Sequence, residues 1–478
     1  MKFKTIVGLE IHSQLNSKTK AFCSCVNEYG LEPNTATCPG CLGMPGALPV
    51  LNNEVVDLAI MAGLAFNCDI NLESTFERKK YFYPDLAKGY QITQGEIPIC
   101  ENGYITVLDE NNKDKNIRIQ RIQIEEDTGK ALHNSDDFAY MDYNRSGAPL
   151  VEIITYPDIN SSKEAKEFLT KLKNTLQYLD INTGRMEEGS LRCDVNINLV
   201  NLETDERTSI IEIKNINSFS AVEKTIEFEI ERQKELLLNN EFEVRSTRRW
   251  DDSIQETVLM REKFSSDDYK LSYDGDIPTL VIDEDIIEAV RNKMPELIEE
   301  KTNRFIKEYE LSKYDAEILT SDKKISEFFE NSAVNVKNKT LLANFTINEL
   351  LRRLHEEESS IDNLKFTLED FSKLLNLVDE DKINNNTAKK VFRVMFEEGI
   401  DPIKYVEENN MIQIDDKSEI DEYVNQVLNE NPDSIEQYLS GKDRILGFLV
   451  GQVMKLSKGK ANPQLVNKLI LEKIKKSQ

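Results

Sequence analysis

The chain has 478 residues, of which 39% are hydrophobic and 31% charged, and it carries a formal net charge of −26. That length exceeds a single compact core, so two or three domains are expected, and the apolar content excludes general disorder. No apolar run approaches the roughly 20 residues a membrane helix needs, and the N-terminus resembles neither a signal peptide nor a transit peptide, so a cytosolic chain with no membrane partner is expected. The acidic average argues against a nucleic-acid partner, although averages hide patches.

The first predicted element is a strand. Val7, Leu9 and Ile11 alternate with Glu10, His12 and Gln14, which gives one apolar and one polar face. On a strand, Glu10 and His12 stand about 7 Å apart on the same face, near enough to hold one ion or one phosphate. Ordinary solvated surface can carry such a pair too.

A turn-rich loop with Pro33-Asn34 and Pro39-Gly40 follows, bearing Cys23, Cys25, Cys38 and Cys41. In a cytosolic chain, cysteines serve as metal ligands, catalytic groups or small core residues rather than as a disulfide framework. Two close thiolate pairs match a closed tetrahedral zinc site, which holds a loop together and has no open position for chemistry. The alternative, four inert buried cysteines, fits poorly because the segment has few apolar residues to bury them. Cys68, Cys100 and Cys193 stand apart and read as core residues.

Further strands repeat the polar face. Ile122-Gln123-Ile124 leads into Glu125-Glu126-Asp127, and Glu152 sits inside the apolar run Leu150-Val151-Glu152-Ile153-Ile154. A carboxylate there is costly unless it is paired or binds a cation. Asp194, Asn196 and Asn198 alternate with Val195, Ile197 and Leu199, and Glu212 and Lys214 face away from Ile211 and Ile213. A sheet face of Glu, His, Asp, Asn and Lys suits magnesium and phosphate. No Walker-type loop, no Gly-x-Gly-x-x-Gly turn and no Gly/Ser-rich amidase signature is present, so any ATP site is of an uncommon kind and the chain is not expected to hydrolyse amides by itself.

From about residue 295 glycine becomes rare and charged helical stretches dominate, as in residues 323–329 and 349–354. A helical tail follows from about 410. From Lys442 onward, eight Lys and one Arg face two acidic residues, a composition that fits either a solvated helix face or a contact surface for a nucleic-acid backbone.

Several blocks are similar to those of a known family. Val7-Gly8-Leu9-Glu10-Ile11-His12-Ser13-Gln14-Leu15, Tyr81-Phe82-Tyr83-Pro84-Asp85-Leu86 and Lys88-Gly89-Tyr90-Gln91 are three of them. Ile124-Glu125-Glu126-Asp127 with Gly129-Lys130 is another, as is Asp142-Tyr143-Asn144-Arg145-Ser146-Gly147 through to Glu152. Met186-Glu187-Glu188-Gly189-Ser190-Leu191-Arg192-Cys193-Asp194 and Glu212-Ile213-Lys214-Asn215 follow. Gly447-Phe448-Leu449-Val450-Gly451-Gln452 and Lys458-Gly459-Lys460-Ala461-Asn462-Pro463 close the series. In this order they resemble the B subunits of aspartyl/glutamyl-tRNA amidotransferases, from residue 3 to about 470.

The resemblance implies an α/β (α+β) cradle domain with a mixed or antiparallel sheet over residues 1–293. A helical domain over 294–408 and a small all-α, tRNA-binding tail over 409–478 complete it. The implied activity is that of a ligase. ATP phosphorylates the side-chain carboxyl of mischarged Glu-tRNA(Gln), Asp-tRNA(Asn) or both, and ammonia from glutamine then amidates it. The implied partners are a separate amidase (glutaminase) subunit, the small third subunit of the amidotransferase, and the tRNA.

Glu10, His12, Glu125 and Glu152 are the implied catalytic groups and, with Glu212, the magnesium ligands. Gln14, Lys130, Glu188, Ser190, Arg192 and Lys214 are the expected ATP- or substrate-binding groups. The four cysteines match a structural zinc site that some relatives lack. Lys455, Lys458, Lys460 and Lys468 are the expected tRNA contacts.

Two rivals are an archaeal-type subunit that serves Glu-tRNA alone, for whose inserted domain this chain has no room, and a non-enzymatic zinc-ribbon tRNA adaptor, which needs no wall of carboxylates. The chain departs from the family pattern at Gln123, where His is usual, and over residues 270–276.

Overall fold

The computed structural model describes residues 2–133, 138–262, 270–413, 417–439, 444–457 and 460–476. The chain forms two compact units, residues 1–297 and 298–478.

In the first unit, alternating sequence builds a nine-stranded sheet. In chain order its strands are β1 (Phe3–Gln14), β2 (Asp69–Ile70), β3 (Cys100–Leu108), β4 (Asp114–Glu126), β5 (Pro149–Thr155), β6 (Leu191–Asn201), β7 (Ile211–Ile216), β8 (Ser246–Asp251) and β9 (Glu256–Glu262). Across the sheet they run β9-β8-β7-β6-β1-β5-β4-β3-β2. Neighbours are antiparallel apart from β7 and β8, which are parallel. The sheet is therefore mixed, as expected, and β1 lies inside it between β5 and β6.

Three helices cover the apolar face: α1 (Asn53–Ala65), α2 (Ser162–Tyr178) and α3 (Phe219–Asn239), the last bridging the parallel pair. α2 starts where the Ser161 hydroxyl accepts from the Glu164 N–H, and it buries Ala165, Phe168, Leu169, Leu172 and Leu176 at helical spacing. Phe168 is fully buried, and truncating such a residue to Ala costs about 3–5 kcal/mol. With the helices on that face, β1 buries Val7, Leu9 and Ile11 and leaves Glu10, His12 and Gln14 on the other side.

The divergent segment at 270–276 also has a defined place. Lys270–Tyr273 joins a small sheet with Glu77–Lys80 and Tyr90–Thr93. Just beyond it, buried Asp274 takes two bonds from Arg78, at 2.9 and 3.0 Å.

The second unit is helical among its described residues, as expected, and contains two separate apolar cores. Phe305, Phe329, Phe371 and Phe392 lie in one. Ile420, Val424, Leu449, Val453, Val466 and Ile470 lie in the other, contributed by the helices Lys417–Glu430, Arg444–Leu456 and Pro463–Lys476.

Candidate active site

Strand register decides which polar side chains meet. Opposite His12, β5 places Glu152 and β6 places Arg192; beyond Glu152, β4 places Gln123. Two residues along β4, Glu125 emerges on the same face. His12 Nε2 lies 3.6 Å from Glu152 and 3.8 Å from Glu125. One ligand atom from each of the three lies within 4.8 Å of the others. These separations are too long for direct hydrogen bonds and suit donors grouped about one cation.

Neighbouring amides and hydroxyls hold the two carboxylates in place. Gln123 Nε2 donates to Glu152 at 2.6 Å and to Glu125 at 3.1 Å. Thr93 Oγ1 and Gln91 Nε2 donate to Glu125 at 2.5 and 3.2 Å. Burial, and then the Glu125 charge, push the Glu152 carboxyl well above its usual range. Burial likewise lowers the His12 imidazole despite the acids around it, and it is the neutral imidazole that coordinates a metal. Glu125, Glu152 and the neutral His12 imidazole together offer donor atoms of the kinds that bind divalent cations.

Glu10 belongs to a second group. Register sets Asp194 opposite Glu10, and Glu212 opposite Asn196. Glu10, Asp194 and Glu212 offer ligand atoms within 4.8 Å of one another. A cation already stands among them, because Lys214 Nζ lies 2.5 Å from Asp194 and 3.2 Å from Glu212. Burial alone would lower the Lys214 ammonium, but Asp194 and Glu212 outweigh it and raise it. Asn196 donates to Glu10 and Thr247 to Glu212, each at 2.8 Å. The carboxylate wall expected from sequence contains two such groups, one around His12 and one around Glu10, and they feel each other: Glu10 acts through its charge on the Glu152 carboxyl and Asp194 on the His12 imidazole.

Arg192 stands beside the first group. Its Nη2 donates to Asp127 at 2.9 Å, while its buried Nε has no partner among the described residues. A buried donor without a partner is a place for an anion.

Other expected binding residues serve nearby structure. Ser190 Oγ donates to the Arg185 carbonyl at 2.8 Å, and Glu188 pairs with Arg185 at 2.9 Å. Gln14 Nε2 donates to Asn27 at 3.0 Å. Lys130 is exposed on a short hairpin strand, Lys130–His133. Asp127, which also pairs with Arg145 at 3.3 Å, was not singled out from the sequence. The signal was available, since it closes the Glu125-Glu126-Asp127 run.

Ligand atoms of Cys23, Cys25, Cys38 and Cys41 lie within 4.8 Å of one another. The Lys20 ammonium, fully buried, lies 3.8 Å from Cys41 Sγ. The hydrogen bond between Cys23 and Cys41 lowers the Cys41 thiol, with the Cys38 backbone and the Lys20 charge acting in the same direction, and raises the Cys23 thiol, while burial raises Cys25, so the cluster favours one thiolate at Cys41. Thiolate character is what a zinc ligand requires. Cys68, Cys100 and Cys193 are buried, as expected of core residues.

Residues 5–288 match the model of the GatB/GatE catalytic domain. The chain belongs to the GatB/GatE family. Residues 327–474 of this family member match the model described as GatB domain. Among the aspartyl/glutamyl-tRNA(Asn/Gln) amidotransferase B subunits, that of Finegoldia magna is 48% identical over 474 residues, covering 99% of this chain and all of the relative. The proteins of the same name from Caldicellulosiruptor bescii and Clostridium tetani are 47% and 45% identical, each comparison covering both chains in full. As a GatB/GatE member, the chain has the mixed sheet followed by helices that the resemblance implied. No helix among its described residues is long and apolar enough to cross a membrane.

Proposed function

We propose that this chain uses ATP to activate the side-chain carboxylate of a misacylated tRNA and converts it to the amide, as one member of a multi-subunit amidotransferase. The observation that carries this reading is the His12–Glu125–Glu152 group beside Arg192, on the sheet face opposite the helices in the domain that matches the family's catalytic model. The naming of the relatives as Asn/Gln-type tRNA amidotransferase subunits supports it.

A carboxylate is a poor acyl donor. In the proposed first step, an oxygen of the tRNA-borne Glu or Asp attacks the γ-phosphorus of ATP, the bond to the bridging oxygen breaks, and ADP leaves. Ammonia then attacks the carbonyl carbon of the acyl phosphate. The carbon–oxygen bond to phosphate breaks, phosphate leaves, and the nitrogen gives up one proton. Arg192, through its free Nε, and Lys214 supply fixed positive charge to the phosphate oxygens. Magnesium held by His12, Glu125 and Glu152 would supply further charge neutralisation there. Glu10 accepts from Asn196 and, with Asp194 and Glu212, steadies the face on the β6 side.

The four cysteines hold a structural zinc. Ammonia is supplied by a separate amidase (glutaminase) chain, with the small third subunit in the same assembly. The division into 1–293, 294–408 and 409–478 follows function, the last part contacting the tRNA backbone. There, Lys455 and Lys468 are exposed and Lys460 is half-buried; Lys458 lies outside the described residues.

The test uses the assembled complex with glutamine, ATP and either Glu-tRNA or Asp-tRNA. Glu125→Ala or Glu152→Ala is expected to abolish tRNA-dependent ATP hydrolysis and amide formation while glutamine hydrolysis stays measurable. Wild-type amidation by Glu125→Ala places the chemistry elsewhere, and the two tRNAs assayed separately identify the substrate.

A further inference from the structure

A second wall stands beside the His12 group. In the small sheet, Glu77–Lys80 runs between Tyr90–Thr93 and Lys270–Tyr273. Register sets Lys79 between Gln91 and Leu271, and Glu77 between Thr93 and Tyr273. Residues directly opposed in an antiparallel pair point to the same face. Leu271 and Tyr273 therefore share the face of Gln91 and Thr93, whose side chains donate to Glu125. Lys79 lies on that face too, and its charge acts on the Glu152 carboxyl, as the placement requires. With neighbouring strands about 4.8 Å apart, the Tyr273 backbone stands about 10 Å from that of Thr93.

Leu271 and Tyr273 are 54% and 58% exposed, yet their strand is firmly held. On the opposite face Arg78 clamps the buried Asp274 carboxylate, and the Asp274 N–H donates to the Phe76 carbonyl at 2.9 Å. At one end of the same pair of strands, Lys80 and Lys270 oppose each other. Both are exposed, and neither pairs with an acid among the described residues. Like charges directly opposite one another destabilise an antiparallel pair, a cost that an anion lying between them removes. An uncompensated basic pair also runs against the chain's net charge of −26.

We infer that this wall receives the acceptor end of the misacylated tRNA, with Tyr273 stacked on the terminal adenine, Leu271 packed beside it, and Lys80 and Lys270 on backbone phosphate. This assignment rests on the reading that the chain amidates a tRNA-borne residue. The amino acid is esterified to the ribose of that adenosine. With its side-chain carboxyl at Glu125 and Glu152, the base falls one amino acid and one ribose away, on the scale of the separation between Thr93 and Tyr273. Unpaired bases stack on aromatic rings, and Lys contacts to phosphate fix position.

The assembled complex is assayed with whichever of Glu-tRNA or Asp-tRNA the wild type amidates, and with the matching aminoacylated acceptor-stem minihelix. Tyr273→Ala is expected to raise the KM for both RNAs about tenfold, the usual scale for losing one base–aromatic stack. Tyr273→Phe keeps the ring and should stay near wild type. The double variant Lys80→Glu, Lys270→Glu should raise the same KM values and flatten their salt dependence. The KM for ATP and the melting temperature should not move, since all three side chains are exposed. Unchanged KM values for RNA in both Tyr273→Ala and the double variant overturn the assignment. So does a rise confined to the KM for ATP, or an effect on full tRNA that the minihelix does not share. Failure of the wild-type complex to amidate either misacylated tRNA overturns the underlying reading instead.

Discussion

Gln123 Nε2 lies 2.6 Å from a Glu152 carboxylate oxygen, and Gln123 occupies the position at which the family pattern has histidine. Gln123 is buried and donates to both acids of the His12 group, so it sets where their remaining lone pairs point. Gln123→Leu leaves two buried carboxylates short of a donor. The magnesium concentration for half-maximal activity is expected to rise about 10- to 100-fold, the usual consequence of losing a residue that orients metal ligands. Gln123→His, which keeps a donor, should recover most of the loss. A magnesium titration of ATP hydrolysis with the three proteins decides it.

Glu152 gives a pH-dependent prediction with a definite sign. Its folded-state carboxyl titrates above the usual value because it is buried beside Glu125. Below about pH 4 it is protonated in both folded and unfolded chains and contributes nothing to the difference. Above that, the unfolded chain releases the proton more readily, so the contribution of Glu152 to stability falls as pH rises towards the folded value. Glu152→Gln has no proton to lose. The metal-free variant should therefore melt at a higher temperature than wild type at pH 7.5, and the gap should close near pH 4. Calorimetry in EDTA reads this directly, and identical melting temperatures at pH 7.5 count against it.

Purified protein should carry about one zinc per chain. Cys38→Ser should lower zinc content and increase proteolysis within residues 23–50. The effect should remain local, because the main core of the first unit is built from the nine-stranded sheet and its helices. Metal analysis of freshly prepared wild type showing no zinc removes this prediction's basis.

The tail has its own apolar core, so removing residues 410–478 should leave the rest folded. Binding of tRNA should weaken, with glutamine hydrolysis little changed. Reversing exposed Lys455 and Lys468 to Glu should flatten the logarithmic salt dependence of tRNA binding by about 0.9 per lost phosphate contact on a duplex. Superimposable salt series for wild type and variant would assign tRNA binding to other surfaces.

What was legible in the sequence was local. The two-residue period of β1 assigns Val7, Leu9 and Ile11 to the core by itself, and the cysteine spacing within one loop points to its metal. Register is not local. Glu10 and His12 are two residues apart, yet they join different groups because β6 sets Asp194 against one while β5 sets Glu152 against the other. Nothing within either segment specifies that alignment, which depends on the shared apolar face and the connecting helices. Glu188 and Ser190, part of a recognisable block, bond to Arg185 in their own turn.

The interior position of β1 also bears on how the protein is made. This strand precedes both of its neighbours in the sequence, and they comprise residues 149–155 and 191–201. During synthesis one of its hydrogen-bonding edges therefore waits for residues 149–155, and the other until about two hundred residues have emerged. Long-range pairing of this kind is slow to form and leaves sticky edges available meanwhile. A ribosome stalled before residue 191 holds an unfinished sheet prone to pairing with other nascent chains, and His12 meets Arg192 only once that sheet is closed.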